Sequence, residues 1–151
     1  MSMIKNRLPI IIIGIPFVLF ILYNGGLLFF IALTIVALQC VHEFYNLAKE
    51  KKLNPNNTIG YICVVIISYL YFNILNTSHV EFLIFLIISI IAIIFLESFK
   101  NSKDPLINTS VTLLGVIYVG VLFCSVIALR EYDAYNGTNF TLTMIISVWI
   151  C

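Results

Sequence analysis

The stretch Leu106–Cys151 reads LINTSVTLLGVIYVGVLFCSVIALREYDAYNGTNFTLTMIISVWIC. Its first part, Leu106–Leu129, is 24 residues without a charge, long enough to cross a bilayer with some tilt. A polar stretch follows from Arg130 to Thr141, and a second apolar run starts at Leu142 and reaches Cys151. Ten helical residues span only about 15 Å, roughly half of a hydrocarbon core. A helix stopping there leaves bare carbonyls in lipid, where each costs several kcal/mol. The expectation is a sixth transmembrane helix that is truncated, in the N-terminal part of a longer protein.

Working outward, composition agrees with a membrane solvent. Hydrophobic residues make up 62% and charged residues 10% of the chain, against about 45–50% and about 25% in soluble domains. The reading is all-α: a polytopic integral membrane helical bundle with five complete transmembrane helices and a truncated sixth, residues 1–151 forming a single membrane-embedded region. The first span is Leu8–Tyr23, kinked at Pro16. It is read as an uncleaved helix, because Tyr23-Asn24-Gly25-Gly26 lacks a small-x-small cleavage site. Asn24-Gly25-Gly26 forms a tight return. Leu27–Val41 is the second span, its helix extending through Ala48, with Phe44 and Tyr45 in an interfacial aromatic belt. A basic, Pro-containing loop at Lys49–Asn57 is followed by spans at Thr58–Leu75, Val80–Phe99 and Leu106–Leu129, with Pro105 opening the fifth.

Charge sets the orientation. Lys5, Arg7, Lys49, Lys51, Lys52, Lys100 and Lys103 fall on one side, and Arg130 alone on the other. The positive-inside rule then places the N-terminus in the cytoplasm, in a membrane of the bacterial inner or plasma type. The formal net charge of +1 gives no reason to expect a nucleic acid partner. Cys40, Cys63, Cys124 and Cys151 lie in or beside apolar runs without C-x-x-C spacing, and read as small buried hydrophobes.

Chemistry is sparse. Glu43 is the carboxylate nearest a helix interior on the lysine side, and two readings stand: a solvated interfacial acid, or a member of a polar cavity. His42-Glu43 is not a zinc-protease motif, since H-E-x-x-H needs histidine where Asn46 stands. Glu97 and Lys100 are spaced to pair at a helix end. Glu131 and Asp133 are read as wet loop acids beside Arg130. On the fifth span Gly120, Cys124 and Ala128 form a small-residue stripe suited to close helix approach. Gly115 and Gly120 are five apart and do not make a GxxxG motif. Tyr118 and Ser125, seven apart, give that helix a polar edge, either packing or lining a substrate cavity. The substrate-cavity candidates are therefore Glu43, Tyr118 and Ser125. There is no Walker loop, dinucleotide fingerprint, nucleophile elbow or acid cluster able to hold Mg²⁺. No catalytic residue and no metal ligand is assigned.

Several ordered landmarks nevertheless resemble one family. They are Lys5-Asn6-Arg7 before an apolar run ending at Pro16, Gly25-Gly26 before the second helix, and Glu43-Phe44-Tyr45-Asn46-Leu47 at its end. Thr112-Leu113-Leu114-Gly115-Val116-Ile117-Tyr118-Val119-Gly120-Val121-Leu122 and Ile145-Ile146-Ser147-Val148-Trp149-Ile150-Cys151 complete the set. Together they resemble phosphatidate cytidylyltransferase, also called CDP-diacylglycerol synthase. The last stretch resembles the approach to that family's W-x-x-D segment, and the chain stops one residue before the aspartate. The family's C-terminal signature is absent, so no catalytic residue carries over. The resemblance implies attack of phosphatidic acid on the α-phosphate of CTP at the cytoplasmic face, giving CDP-diacylglycerol and diphosphate. It implies Mg²⁺ as cofactor with ligands not in this chain, a lipid bilayer around the spans, and a surface used for a homodimer or for core packing. The catalytic C-terminal part being absent, the fragment alone is expected to be inactive. The competing expectations are a non-enzymatic small multi-pass membrane protein, a transporter subunit or scaffold, and another lipid-modifying membrane enzyme of similar hydropathy.

Overall fold

A computed structural model describes residues 14, 16–75, 77–99, 104–133 and 136–150. The part of the first span before residue 14, Lys5, Arg7, Lys100, Lys103 and Cys151 lie outside the described residues, so the charge count and the Glu97–Lys100 pairing rest on sequence for those positions. Among the described residues every regular element is helical. In chain order they are α1 (16–24), α2 (Gly26–Glu50), α3 (Asn57–Phe72), α4 (His79–Ser98), α5 (Pro105–Gly115), a π-helical segment Val116–Phe123, α6 (Ser125–Glu131) and α7 (Gly137–Ile150).

Among the described residues three helices are long and apolar enough to cross a membrane: Gly26–Glu50, His79–Ser98 and the continuous run Pro105–Glu131. Asn57–Phe72 and the last helix are shorter. The outer surface is apolar. Along α4 alone, Leu83, Ile84, Ile87, Ile88, Ile91, Ile94 and Phe95 are half or more exposed, a face that calls for lipid rather than water around it.

The core lies between α2, α3 and the Pro105–Glu131 run. Ala37, Val41 and Tyr45 recur every four residues along α2 and are wholly buried, facing Val64, Val119, Cys124 and Ile127. A second cluster joins Cys63 and Ile67 to Ile93 and Val116, bringing α4 alongside. The third joins Leu22, Phe29 and Val126, with Leu142 and Ile145 of α7 packed against it.

Several boundaries differ from the sequence reading for identifiable reasons. Helix α2 runs to Glu50 and ends in a Schellman arrangement. Leu53 N–H donates to the Ala48 carbonyl (3.2 Å) and Lys52 N–H to that of Lys49 (2.9 Å), with Lys52 left-handed at φ 63, a conformation usually given to glycine. Helix α4 starts at His79 because Ser78 and Glu81 form a capping box, each side chain bonded to the other's backbone N–H at 3.2 Å. Helix α7 begins at Gly137, five residues before Leu142, with the Thr141 hydroxyl turned back to the Gly137 carbonyl (2.8 Å).

The expected single α-helix over Leu106–Leu129 changes type midway. At Val116–Phe123 the bonding widens to π, as in Cys124 N–H to the Val119 carbonyl (3.2 Å). Tyr71 from α3 supplies a hydroxyl to the Val121 carbonyl (3.1 Å), and Ser68 Oγ lies 3.2 Å from Cys124 Sγ. Gly120 allows the close approach: a Cβ there would sit 3.0 Å from Ile67 Cδ1. The expected stripe Gly120, Cys124 and Ala128 is buried as a packing surface. Cys63 is buried likewise and Cys40 partly so, all as free thiols.

Candidate functional site

The polar side chains gather at the end of the bundle bearing Lys49, Lys51 and Lys52. Tyr45 organises it. The sequence reading placed this ring in an interfacial belt, but it is fully buried, because position 45 continues the inward stripe of Ala37 and Val41. Its ring fills a slot between two glycines of different helices. A Cβ on Gly60 would coincide with the Tyr45 hydroxyl, and one on Gly115 would lie 2.5 Å from Cε1. The hydroxyl donates to the Thr112 carbonyl at 2.9 Å, satisfying a group that burial would otherwise make costly.

From Thr112 the polar contacts spread across three elements. Thr112 Oγ1 accepts from Asn56 N–H (2.9 Å) and donates to the Asn108 carbonyl (2.8 Å). Asn108 Oδ1 accepts from Asn54 N–H (2.8 Å), while its Nδ2 donates to Glu97 Oε1 (3.3 Å). Glu97, Asn108 and Thr112 are all buried, so this network ties the end of α4, the start of α5 and the loop after α2 into one polar joint. Sequence reasoning treated Lys49–Asn57 as a basic, Pro-containing loop that breaks the helix and gave Asn108 and Thr112 no polar role. Their four-residue spacing on the side of Gly115 was the available signal.

Beside this joint, α2 and α3 leave a groove of ≈ 820 Å³ lined by Ile35, Leu38, Gln39, His42, Glu43, Tyr61, Ile62 and Val65. His42 Nδ1 and the Tyr61 hydroxyl are 2.7 Å apart across it. Glu43 is exposed on its wall. The other two sequence candidates are elsewhere. Tyr118 is 61% exposed on the π segment. Ser125 bonds back to the Leu122 carbonyl (2.6 Å) and borders a different cavity with Ile74, Leu129, Tyr132 and Met144. Widening of the turns between them breaks the seven-residue register that puts two side chains on one face of an α-helix. The structure thus leaves Glu43, Tyr118 and Ser125 apart rather than bringing them to one cavity.

At the opposite end, Arg130 and Glu131 are engaged rather than merely wet. Arg130 Nε donates to the Leu22 carbonyl (3.2 Å) and Glu131 Oε1 accepts from Gly26 N–H (3.1 Å). Gly26 belongs to the Asn24-Gly25-Gly26 return, whose glycines have φ 59 and 55, and Leu22 lies in the last turn of α1 just before it. Asp133 accepts from Asn136 backbone and side-chain nitrogens (3.2 and 3.0 Å).

Among the described residues no group of three or more His, Cys, Asp or Glu side chains is placed to hold a metal ion. The residues described do not fit a divalent-cation site. The sequence profile of the cytidylyltransferase family matches residues 5–151. No curated protein and no solved structure matches the chain.

Proposed function

The chain belongs to the cytidylyltransferase family, and from that premise we propose that it serves CTP-dependent cytidylyl transfer to phosphatidate, yielding CDP-diacylglycerol and diphosphate. The observation that carries this reading is the match over residues 5–151 on a chain whose surface suits lipid. A phosphatidate substrate lives in the bilayer and CTP in water, so the enzyme needs spans that meet both. We take the architecture as five spans and the beginning of a sixth, with the lysine end and the N-terminus facing the cytoplasm.

In this reading the described residues supply scaffold and cavity wall. The polar joint of Tyr45, Asn108, Thr112 and Glu97 holds α2, α4 and α5 in fixed relation on the CTP side. A Mg²⁺ ion would neutralise charge on the phosphates during transfer, and the proposal places its ligands outside the described residues.

The test is formation of CDP-diacylglycerol from labelled CTP and phosphatidate by the protein as its native membrane carries it. Robust, phosphatidate-dependent product is expected; product formed equally with another lipid acceptor would overturn the substrate. The 151 residues alone are expected to give no product, because their seven carboxylates are dispersed along the chain. Turnover by that purified chain would refute this second point without touching the first.

A further inference from the structure

Several carboxylates of the described residues accept from a named donor: Glu81 from Ser78 N–H, Glu97 from Asn108 Nδ2, Glu131 from Gly26 N–H and Asp133 from the Asn136 nitrogens. Glu43 is different. Among the described residues nothing donates to it, and it stands on the wall of the α2–α3 groove as the only charged side chain of the lining. By helical rise it lies about 10 Å short of Glu50, where α2 ends, and about 26 Å from Gly26, where α2 begins. That depth is the lysine-side edge of a hydrocarbon core about 30 Å thick. A carboxylate there is costly unless a cation or a polar cavity meets it.

The nearest cation along the chain is engaged elsewhere. In the amide orientation that satisfies both of its neighbours, Asn57 accepts from Lys49 Nζ at 2.8 Å, at the first residue of α3 and one turn nearer the helix end than Tyr61. Lys49 does not line the groove. Around Glu43 the neutral groups are acceptors as well as donors. Gln39 carries an amide oxygen, and Tyr61, 2.7 Å from His42 Nδ1, keeps an oxygen lone pair when its hydroxyl donates to the ring. Deeper, the lining is apolar, with Ile35 52%, Ile62 54% and Val65 40% exposed. From Glu43 to Ile35 the groove runs about 12 Å along the helix axis. An anion meets only repulsion at its head. A neutral chain fills the apolar part and leaves the carboxylate desolvated without a partner. A cation with an alkyl tail satisfies both parts.

We infer that the groove binds a single-chain aliphatic amine from the leaflet on the lysine side, its ammonium on Glu43 and its chain along Ile35, Leu38, Ile62 and Val65. A primary ammonium brings three N–H donors, which match the Glu43 carboxylate, the Gln39 amide oxygen and the Tyr61 oxygen. An alkylamine in a bilayer keeps its charged head at the interface and its tail inward, the order in which the groove presents its polar and apolar parts. A volume of ≈ 820 Å³ is of the size that small-molecule sites have. The site depends on α2 and α3 facing lipid and not on cytidylyl transfer, so binding is measured without CTP and its failure leaves the proposed activity untouched.

The protein, purified in an uncharged detergent, is photolabelled with decylamine carrying a diazirine on its chain, and the labelled residues are mapped by mass spectrometry. Labelling is expected within 35–39 and 61–65, with unlabelled decylamine competing far better than decanol or decanoate. Glu43→Gln, at an exposed position with no partner to lose, should weaken decylamine binding about tenfold, or about 1.4 kcal/mol, and bring it level with decanol. Val65→Trp should fill the groove and abolish the labelling, whereas Ile91→Trp on the lipid face of α4 should leave it unchanged. Glu43→Gln decides the charge requirement even if Val65→Trp does not fold. Equal competition by decanol, or full affinity in Glu43→Gln, would overturn the assignment by making the groove a plain apolar surface. Stronger competition by decanoate would overturn it by making the site one for an anion, and labelling spread evenly over α4 would reduce it to partition into the lipid face.

Discussion

Tyr45 shows how a single side chain fixes the distance between three helices. Its ring lies where a Cβ on Gly60 or Gly115 would have to go, so both glycines are required by close approach rather than by backbone conformation. Gly115→Ala is expected to lower unfolding free energy by about 1–3 kcal/mol through overpacking, read by thermal denaturation in detergent. Tyr45→Phe should cost about 1 kcal/mol, the net worth of the bond to Thr112. In a Tyr45→Val background the Gly115→Ala penalty should shrink, a coupling that a double-mutant cycle measures directly; equal penalties in both backgrounds would deny the slot. Lys52 offers the opposite sign. It holds φ 63 at the position after the α2 cap, where an L side chain costs about 1–2 kcal/mol, so Lys52→Gly should raise stability by about 1 kcal/mol in the same assay. Neither feature was legible from residue type. An aromatic pair near a helix end looks the same whether it faces lipid or core, and only the four-residue recurrence of Ala37, Val41 and Tyr45 separates the two. Lys52 carries charge and helix propensity in a sequence reading, and its backbone twist is set by the turn toward Asn54.

At the scale of elements, the Pro105–Glu131 run is the one whose local form departs from expectation. Its length, lack of charge and opening proline made it readable as a helix. Its π segment was not, because Gly115 and Gly120 were weighed only against a four-residue motif, while five is the spacing of the π bond itself. The segment is held from outside by α3. Tyr71 bonds to the Val121 carbonyl and packs on Phe82 with ring centroids 5.1 Å apart. Tyr71→Phe keeps the ring and removes the donor, so it should cost about 1 kcal/mol, the net worth of that hydrogen bond. Amide exchange within 119–124 should quicken more than exchange in α2; uniform change along the chain would mean the hydroxyl supports global packing rather than the π turns. The widened turns also explain why Tyr118 and Ser125 part company. A substrate edge drawn from a seven-residue spacing assumed α-geometry between them. By contrast the α4 start could have been taken from sequence, since Ser78-His79-Val80-Glu81 has the capping-box pattern just before a hydrophobic run.

At the scale of the whole molecule, the two ends of the bundle are joined by different means. The lysine end is joined by amide, hydroxyl and backbone groups, with Asn54, Asn56, Asn108 and Thr112 meeting through backbone and side chain and Asn108 also donating to Glu97. The other end uses charge. Arg130 and Glu131 reach more than 100 residues back to the return between α1 and α2, and Gly137 at the start of α7 sits against the Arg130 carbonyl so closely that a Cβ would collide with it. Hydropathy and charge counting had the order of the helices and the side of the lysines within reach, because both depend on composition over long windows. They carried no information on which loop residue bonds to which turn, and so Arg130 counted only as the lone cation of its side. The geometry gives it a second task, closing α1, α2, α6 and α7 into one end. Arg130→Lys preserves the charge that topology depends on but loses the Nε donor, and should cost about 1.5–3 kcal/mol as a charged hydrogen bond is lost. Gly25→Ala should be at least as damaging, since φ 59 disfavours it and its Cβ would displace the same guanidinium. Both variants should keep the lysine end on its original side, as read by labelling of single cysteines placed at positions 51 and 132. A stability loss with unchanged sidedness assigns Arg130 to packing of the bundle, while inverted labelling would show that its role is in setting orientation.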